Sequence, residues 1–186
     1  MANKKKIIAI CGSTKKMSLN LSLIHAIADL TVTDFTLTVF SDIEKIPHFN
    51  PDLDNEIPPM QVEDFRRQLR ESDGILICTP EYAMGVPGTL KNAIDWTVSS
   101  CEFSHKPVAL ITASSQGYKG HQSLLETLKI IESYISKATQ LLIPYVKTKI
   151  SSDNKITDPK TLEDVLKLIN AFNRILKKNQ NKYRTT

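Results

Sequence analysis

The sequence predicts a doubly wound α/β sandwich of three layers, with five parallel strands in the order 2-1-3-4-5, and three observations predict it. Five short apolar runs alternate with segments whose apolar residues recur at helical spacing. The third run, residues 74–78, is apolar and β-branched rather than alternating, as in a strand covered on both faces. The 186 residues suffice for one such domain with a sizeable core and leave little room for a second. Strands joined through helices run parallel by right-handed crossovers, and the usual five-stranded arrangement places strand one inside strand two.

Each element has its own justification. Residues 6–12 form a β-branched run ending in glycine, followed by Leu19, Leu23, Ala26, Ile27 and Leu30 on one helical face. Residues 34–40 alternate enough for a second strand. Val62, Phe65 and Leu69 then mark a helix with Arg66, Arg67 and Arg70 on its wetter sides. After the strand at 74–78, Leu90, Ala93, Ile94, Thr97, Val98 and Cys101 are expected to form the core stripe of a helix. Residues 107–113 give strand four, with Leu124, Leu128, Ile131 and Ile135 on the helix that follows. Residues 141–146 give strand five, and Leu162, Val165, Leu166, Ile169, Phe172 and Leu176 a closing helix. Residues 41–59 do not fit a tight connection. They carry Pro47, Pro51, Pro58 and Pro59 and read either as a flap over a substrate entrance or as an ordered surface excursion.

Bulk properties narrow the function. The net charge of +4 comes from basic tails at residues 1–5 and 177–186, together with Lys6; without these lysines and Arg184 the basic residues no longer exceed the 20 acidic ones. A nucleic-acid groove is therefore disfavoured. Three cysteines at unrelated spacings give neither a disulfide framework nor a metal pattern, and no apolar run approaches the roughly 20 residues of a membrane span. A single cytoplasmic domain spanning residues 1–186 is expected.

The chemistry lies at the strand ends. The loop Gly12-Ser-Thr-Lys-Lys-Met-Ser-Leu-Asn20 offers hydroxyls, lysines and a helix N-terminus, which together suit a phosphate, although Ser18 alone could be only a cap. It contains neither G-x-G-x-x-G nor G-K-[ST], which favours a monophosphate over a dinucleotide or triphosphate. The second loop, from Thr79-Pro-Glu-Tyr82 to Gly88, is framed by Pro80 and Pro87. Gly85 and Gly88 are expected to supply unusual dihedrals or close approach, and Tyr82 an aromatic surface. The third, residues 114–120, adds small residues and amides for the polar edge of a ring. Together they describe a site for FMN.

These same residues carry a resemblance. Gly12-Ser13 with Ser18 and Asn20, then Ser72-Asp-Gly-Ile-Leu-Ile-Cys-Thr-Pro-Glu-Tyr82 and Pro87-Gly-Thr-Leu-Lys-Asn-Ala-Ile-Asp-Trp96, resemble the NADPH-dependent FMN reductase family of flavodoxin-like proteins, which includes quinone, azo-dye and chromate reductases. The resemblance runs from about residue 6 to 145. It implies that Ser13, Thr14, Lys15, Ser18, Leu19 and Asn20 surround the FMN phosphate and that Pro80, Glu81, Tyr82 and Ala83 line the ring, largely through backbone groups. Ser114 and Gly117 would approach the pyrimidine side. Many members have Asn where Ala83 stands, so only a backbone donor is expected there.

The implied activity is ping-pong hydride transfer from NADPH or NADH through FMN to a quinone, azo compound, free flavin or metal oxyanion. Such chemistry requires no protein nucleophile. Accordingly no catalytic side chain is singled out: His25, His105 and His121 have ordinary packing or boundary roles, His48 lines an entrance or is solvated, and Cys11 and Cys78 fill small apolar spaces. Trp96, on a second helix face, is expected at a homodimer or homotetramer contact. The alternative is an FMN electron carrier that docks to protein partners without turning over NAD(P)H.

Overall fold

The computed structural model describes residues 4–182; the outermost tail residues, 1–3 and 183–186, lie outside the described residues. Strands β1 (Lys5–Cys11), β2 (Phe35–Phe40), β3 (Gly74–Thr79), β4 (Val108–Ala113) and β5 (Gln140–Ile143) form one parallel sheet. Their order is β2-β1-β3-β4-β5, as the sequence predicts. Helices α1 (Leu19–Leu30), α2 (Met60–Glu71), α3 (Gly88–Asp95), α4 (Tyr118–Ile130) and α5 (Pro159–Lys182) provide the crossovers and cover both faces.

Alternation along the strands divides the core in two. Ile7, Ala9 and Cys11 of β1, with Leu76 and Cys78 of β3, pack under Leu23, Ile24 and Ile27 of α1 and Val165, Ile169 and Phe172 of α5. The intervening Ile8, Ile10, Ile75 and Ile77 meet Val62, Phe65 and Leu69 of α2 and Leu90, Ala93 and Ile94 of α3. Every residue of β3 and β4 is buried, which explains why these runs lack polar alternation. Each fully buried Leu or Ile side chain contributes about 1.5–3 kcal/mol of transfer free energy, so both layers are held chiefly by burial.

Three expectations change. Helix α3 ends at Asp95, not near Cys101, leaving Val98 exposed. Thr97, Val98, Ser99 and Ser100 are a run of weak helix formers. Thr97 Oγ1 bonds back to the Ile94 carbonyl at 2.7 Å, and Cys101 has a left-handed φ of 62°. Strand β5 stops at Ile143, before Pro144, which has no ladder donor. Arg66 is buried rather than on the wet side of α2.

The burial of Arg66 explains the long proline-rich connection. Residues 41–59 form an ordered strap with single 3-10 turns at Ile43–Lys45 and Pro51–Leu53. Trp96 is fully buried beneath it; its indole N–H donates to the Pro47 carbonyl at 2.8 Å, and Phe49 packs edge-on at 5.1 Å. The ring is therefore enclosed by its own chain rather than presented to another subunit. Asn92 of α3 donates to the Pro47 carbonyl at 3.0 Å and accepts from the Phe49 N–H at 2.7 Å. Among the described residues, no helix is long and apolar enough to cross a membrane.

Candidate functional site

Parallel strands deliver the loops after β1, β3 and β4 to one rim of the sheet. The first turn there is forced by close packing. Gly12 N–H extends the β1–β3 ladder by donating to the Cys78 carbonyl at 2.9 Å, and a Cβ at Gly12 would lie 2.2 Å from Thr79 Oγ1. Only glycine allows the first and second loops to run so near each other. Ser13 Oγ and Tyr82 Oη, 3.4 Å apart, then link the two loops.

At the start of α1, Ser18 is the N-cap residue in extended geometry, yet its buried side chain makes no capping bond. The first-turn N–H groups of Leu19, Asn20 and Leu21 have no intrahelical partner, and no acidic residue sits in that turn. Among the described residues, the N–H groups of Ser13, Thr14, Lys16, Met17 and Ser18 also donate to no protein acceptor. Thr14 and Lys15 are exposed, and Leu19 packs partly against the core. The Asn20 amide does something the sequence did not suggest: it donates to the Ala113 carbonyl at 3.1 Å and accepts from the Cys78 thiol at 3.4 Å. Its side chain ties α1 to the sheet, leaving its backbone N–H for a ligand.

The second loop owes its shape to residues other than its glycines. Tyr82 and Gly85 exchange backbone hydrogen bonds at 3.1 and 2.9 Å around a two-residue turn, with Ala83 at φ 48° and Met84 at φ 61°. Two successive left-handed residues define a type I′ turn, which favours Asn-Gly rather than Ala-Met. The strain expected at Gly85 or Gly88 therefore falls on Ala83 and Met84, costing of order 1 kcal/mol each. In return, the N–H groups of Ala83 and Met84 face no protein acceptor among the described residues. Tyr82 is half exposed beside them, and Pro80 is buried.

Glu81 joins the second loop to the third. Its N–H donates to Ser114 Oγ at 3.2 Å, while its carboxylate accepts from Gly117 N at 3.2 Å and Gly120 N at 2.6 Å. Gly117 has φ +88° and a Cβ there would sit 2.9 Å from Leu142, so its conformation and its packing both select glycine. With no capping side chain at Gly117, the N-terminus of α4 takes its carboxylate from Glu81, placing negative charge at the positive end of the helix dipole. A fourth rim segment joins as well. Tyr145, left-handed at φ 56° and largely exposed, donates its N–H to the Ser115 carbonyl at 3.0 Å, and Val146 N–H donates to that of Ser114 at 3.0 Å. Pro144 inside the expected strand was the signal for this turn.

His121 lies behind the third loop, its Nδ1 2.9 Å from Thr112 Oγ1. Burial pushes the imidazole below its usual 6.5, against a smaller upward pull from a hydrogen bond with Gln140. A depressed histidine binds its proton less readily folded than unfolded. Its stabilisation is therefore full above pH 6.5 and is lost as pH falls through the lower folded value. Denaturation midpoints of wild type should decline below pH 6.5, and His121→Gln should show a shallower decline.

The rim thus offers an uncapped helix N-terminus with free donors, a half-exposed tyrosine beside two upturned backbone N–H groups, and a small-residue loop braced opposite. That donor set fits a mononucleotide: an anion at α1 and a flat ring with a polar edge between the second and third loops. Comparison with known proteins agrees. A family model described as NADPH-dependent FMN reductase matches residues 5–148. A 2-hydroxy-1,4-benzoquinone reductase of Burkholderia sp is 31% identical over 174 residues, covering 90% of this chain and 91% of that one. An NAD(P)H-dependent FMN reductase of Pseudomonas aeruginosa is 29% identical over 177 residues, covering 92% and 95%. Among solved structures, the flavoenzyme NAD(P)H:(acceptor) oxidoreductase from Paracoccus denitrificans superposes with a TM-score of 0.83 at 27% identity, covering 94% of this chain and 98% of that chain.

Proposed function

The chain belongs to the NADPH-dependent FMN reductase family, and we propose that it passes two electrons from NAD(P)H to quinone-type acceptors in a ping-pong cycle through one shared pocket. It is an oxidoreductase with FMN as cofactor and NAD(P)H as co-substrate. The observation that carries the fuller reading is the convergence of free backbone donors on one rim, from Ser13 to Ser18, from Leu19 to Leu21 and at Ala83 and Met84.

In this reading Ser13, Thr14, Lys15 and Ser18, with the first-turn N–H groups of Leu19 and Asn20, hold the phosphate. The hydroxyls and the lysine add to the field of the helix terminus. Pro80, Glu81, Tyr82 and Ala83 set the ring edge, and Ser114 and Gly117 the pyrimidine side. Bound there, FMN supplies hydride acceptance and two-electron release. No residue of the chain forms a covalent bond. The net change takes hydride from NAD(P)H and one proton from solvent to convert a quinone to its hydroquinone. Upturned N–H groups at Ala83 and Met84 donate to the ring's polar edge without reorganisation, because their turn is already closed. The rest of the proposal is a cytoplasmic homodimer or homotetramer, for which exposed Phe49, Leu53, Tyr82 and Met84 offer apolar surface.

Anaerobic titration of the yellow protein with NADPH and then NADH, followed by a panel of quinones, azo compounds, free flavin and chromate, tests the reading. Bleaching by a nicotinamide and parallel-line kinetics with a quinone are expected. Protein that takes up no FMN would remove the basis of the proposal. Protein that holds FMN but is bleached by neither nicotinamide would be an electron carrier instead.

A further inference from the structure

A second cleft flanks the proposed phosphate site. It encloses about 370 Å³ between the outer side of the first loop (Ser13, Thr14, Lys15, Lys16), the α1 residues Leu21 and His25, and the end of β2 with its following turn. Cys11, Leu21, Val39, Phe40 and Ile43 give it an apolar floor, and Ser41 and Glu44 close the far side. None of Ser18, Leu19, Asn20, the second loop or the third loop lines it, so it is separate from the flavin cradle and shares only the wall Ser13–Lys15.

Its chemistry is cationic above and apolar below. Among the described residues, Lys15 and Lys16 form no ion pair, whereas the nearby Asp42 is engaged by Lys45 at 3.1 Å. That leaves Glu44 as the one acid of the lining, against two lysines and His25. A flat heterocycle with a phosphorylated sugar matches this division: ring on the apolar floor, phosphate toward the lysines, sugar hydroxyls toward Glu44 and Ser41. The strand involved adds a second argument. Where dinucleotides lie across strand ends, a carboxylate after the second strand favours an unsubstituted ribose 2′-hydroxyl, and a basic neighbour accommodates a 2′-phosphate. Here β2 ends in Phe40-Ser41, with lysines across the gap and no acid at that step.

We infer that this cleft receives the 2′-phosphoadenosine end of the reduced nicotinamide co-substrate and makes the enzyme prefer NADPH to NADH. The inference rests on the proposed reductase reading, and its test is independent of turnover. FMN-loaded protein is titrated calorimetrically with adenosine 2′,5′-bisphosphate and with adenosine 5′-monophosphate, neither of which carries a nicotinamide. The bisphosphate should bind at least about tenfold more tightly, as expected for one added charge-assisted contact. Lys16→Glu should erase that preference without changing FMN content, since Lys16 lies outside the flavin set. Ser41→Asp, at the opposite wall, should weaken the bisphosphate alone. Equal affinity for the two fragments, binding of neither, or a preference that survives both substitutions would overturn the inference. Failure to take up FMN would instead count against the reductase reading itself.

Discussion

Glu81→Ala should lower FMN affinity by about 100-fold or more while leaving the sheet folded, because each of two charge-assisted hydrogen bonds is worth roughly 1.5–3 kcal/mol. The Glu81 carboxylate accepts from Gly117 N–H at 3.2 Å and Gly120 N–H at 2.6 Å, so one side chain of the second loop fixes the start of the helix after the third. The two loops interlock closely. A Cβ at Gly120 would meet the Gly85 carbonyl at 3.0 Å and Glu81 Cγ at 3.1 Å. Removing the carboxylate leaves the first turn of α4 without its only capping side chain and releases the wall on which Ser114 and Gly117 sit. Glu81→Gln should fall between, since an amide oxygen can still accept one bond while its NH₂ group faces the other donor. Fluorescence titration with FMN gives the order of affinities, and hydrogen exchange at Gly117 and Gly120 reports the opening directly. Wild-type affinity and protection in Glu81→Ala would show that the loops are braced by packing alone.

That prediction depends on a contact invisible in the sequence, and the contrast with what was visible has physical causes. The sheet order follows from local signals: β3 and β4 are apolar throughout because both faces are covered, and helical spacing between the runs demands crossovers. The phosphate loop is equally local, because a hydroxyl-rich turn between a strand and a helix creates its own free donors. Glu81, by contrast, acts on backbone groups of residues far along the chain, and nothing in its neighbours signals a cap. Ala83 and Met84 conceal a type I′ turn because neither residue type favours it; the bonds between Tyr82 and Gly85 hold it closed. Asn20 carried a recognisable motif position, but its amide spans to Ala113 and Cys78, a consequence of sheet register rather than of spacing along the chain. Trp96 looked like a surface tryptophan because the strap that covers it is polar and proline-rich.

The strap itself supports the second large effect. Arg66→Ala should destabilise the protein by about 3–5 kcal/mol, the usual consequence of leaving a buried charge without its partner. The guanidinium lies with its side chain only 5% exposed, paired to Asp54 at 2.6 Å, and its Nε donates to the Trp96 carbonyl at 2.8 Å; its terminal nitrogen bonds the same carbonyl. It thereby holds the strap, α2 and the end of α3 at one point. Burial pushes the Asp54 carboxyl up, but hydrogen bonds from Arg66 and Ser99 and the attraction of Arg66 outweigh it and hold the group below its usual 3.8. With the folded value depressed, the stabilisation is complete above pH 3.8 and disappears as pH falls through the folded value, so acid should loosen the strap in wild type. A double-mutant cycle with Asp54→Ala separates the ion pair from the bonds to Trp96: the two losses should be clearly less than additive, with the remainder belonging to the orphaned carbonyl. Because α3 begins just after the Tyr82–Gly85 turn, the Arg66 variant should also bind FMN more weakly than its stability loss alone would require. Additive losses in urea denaturation, with unchanged FMN affinity, would mean that the strap is tethered elsewhere and that α3 holds the flavin platform without it.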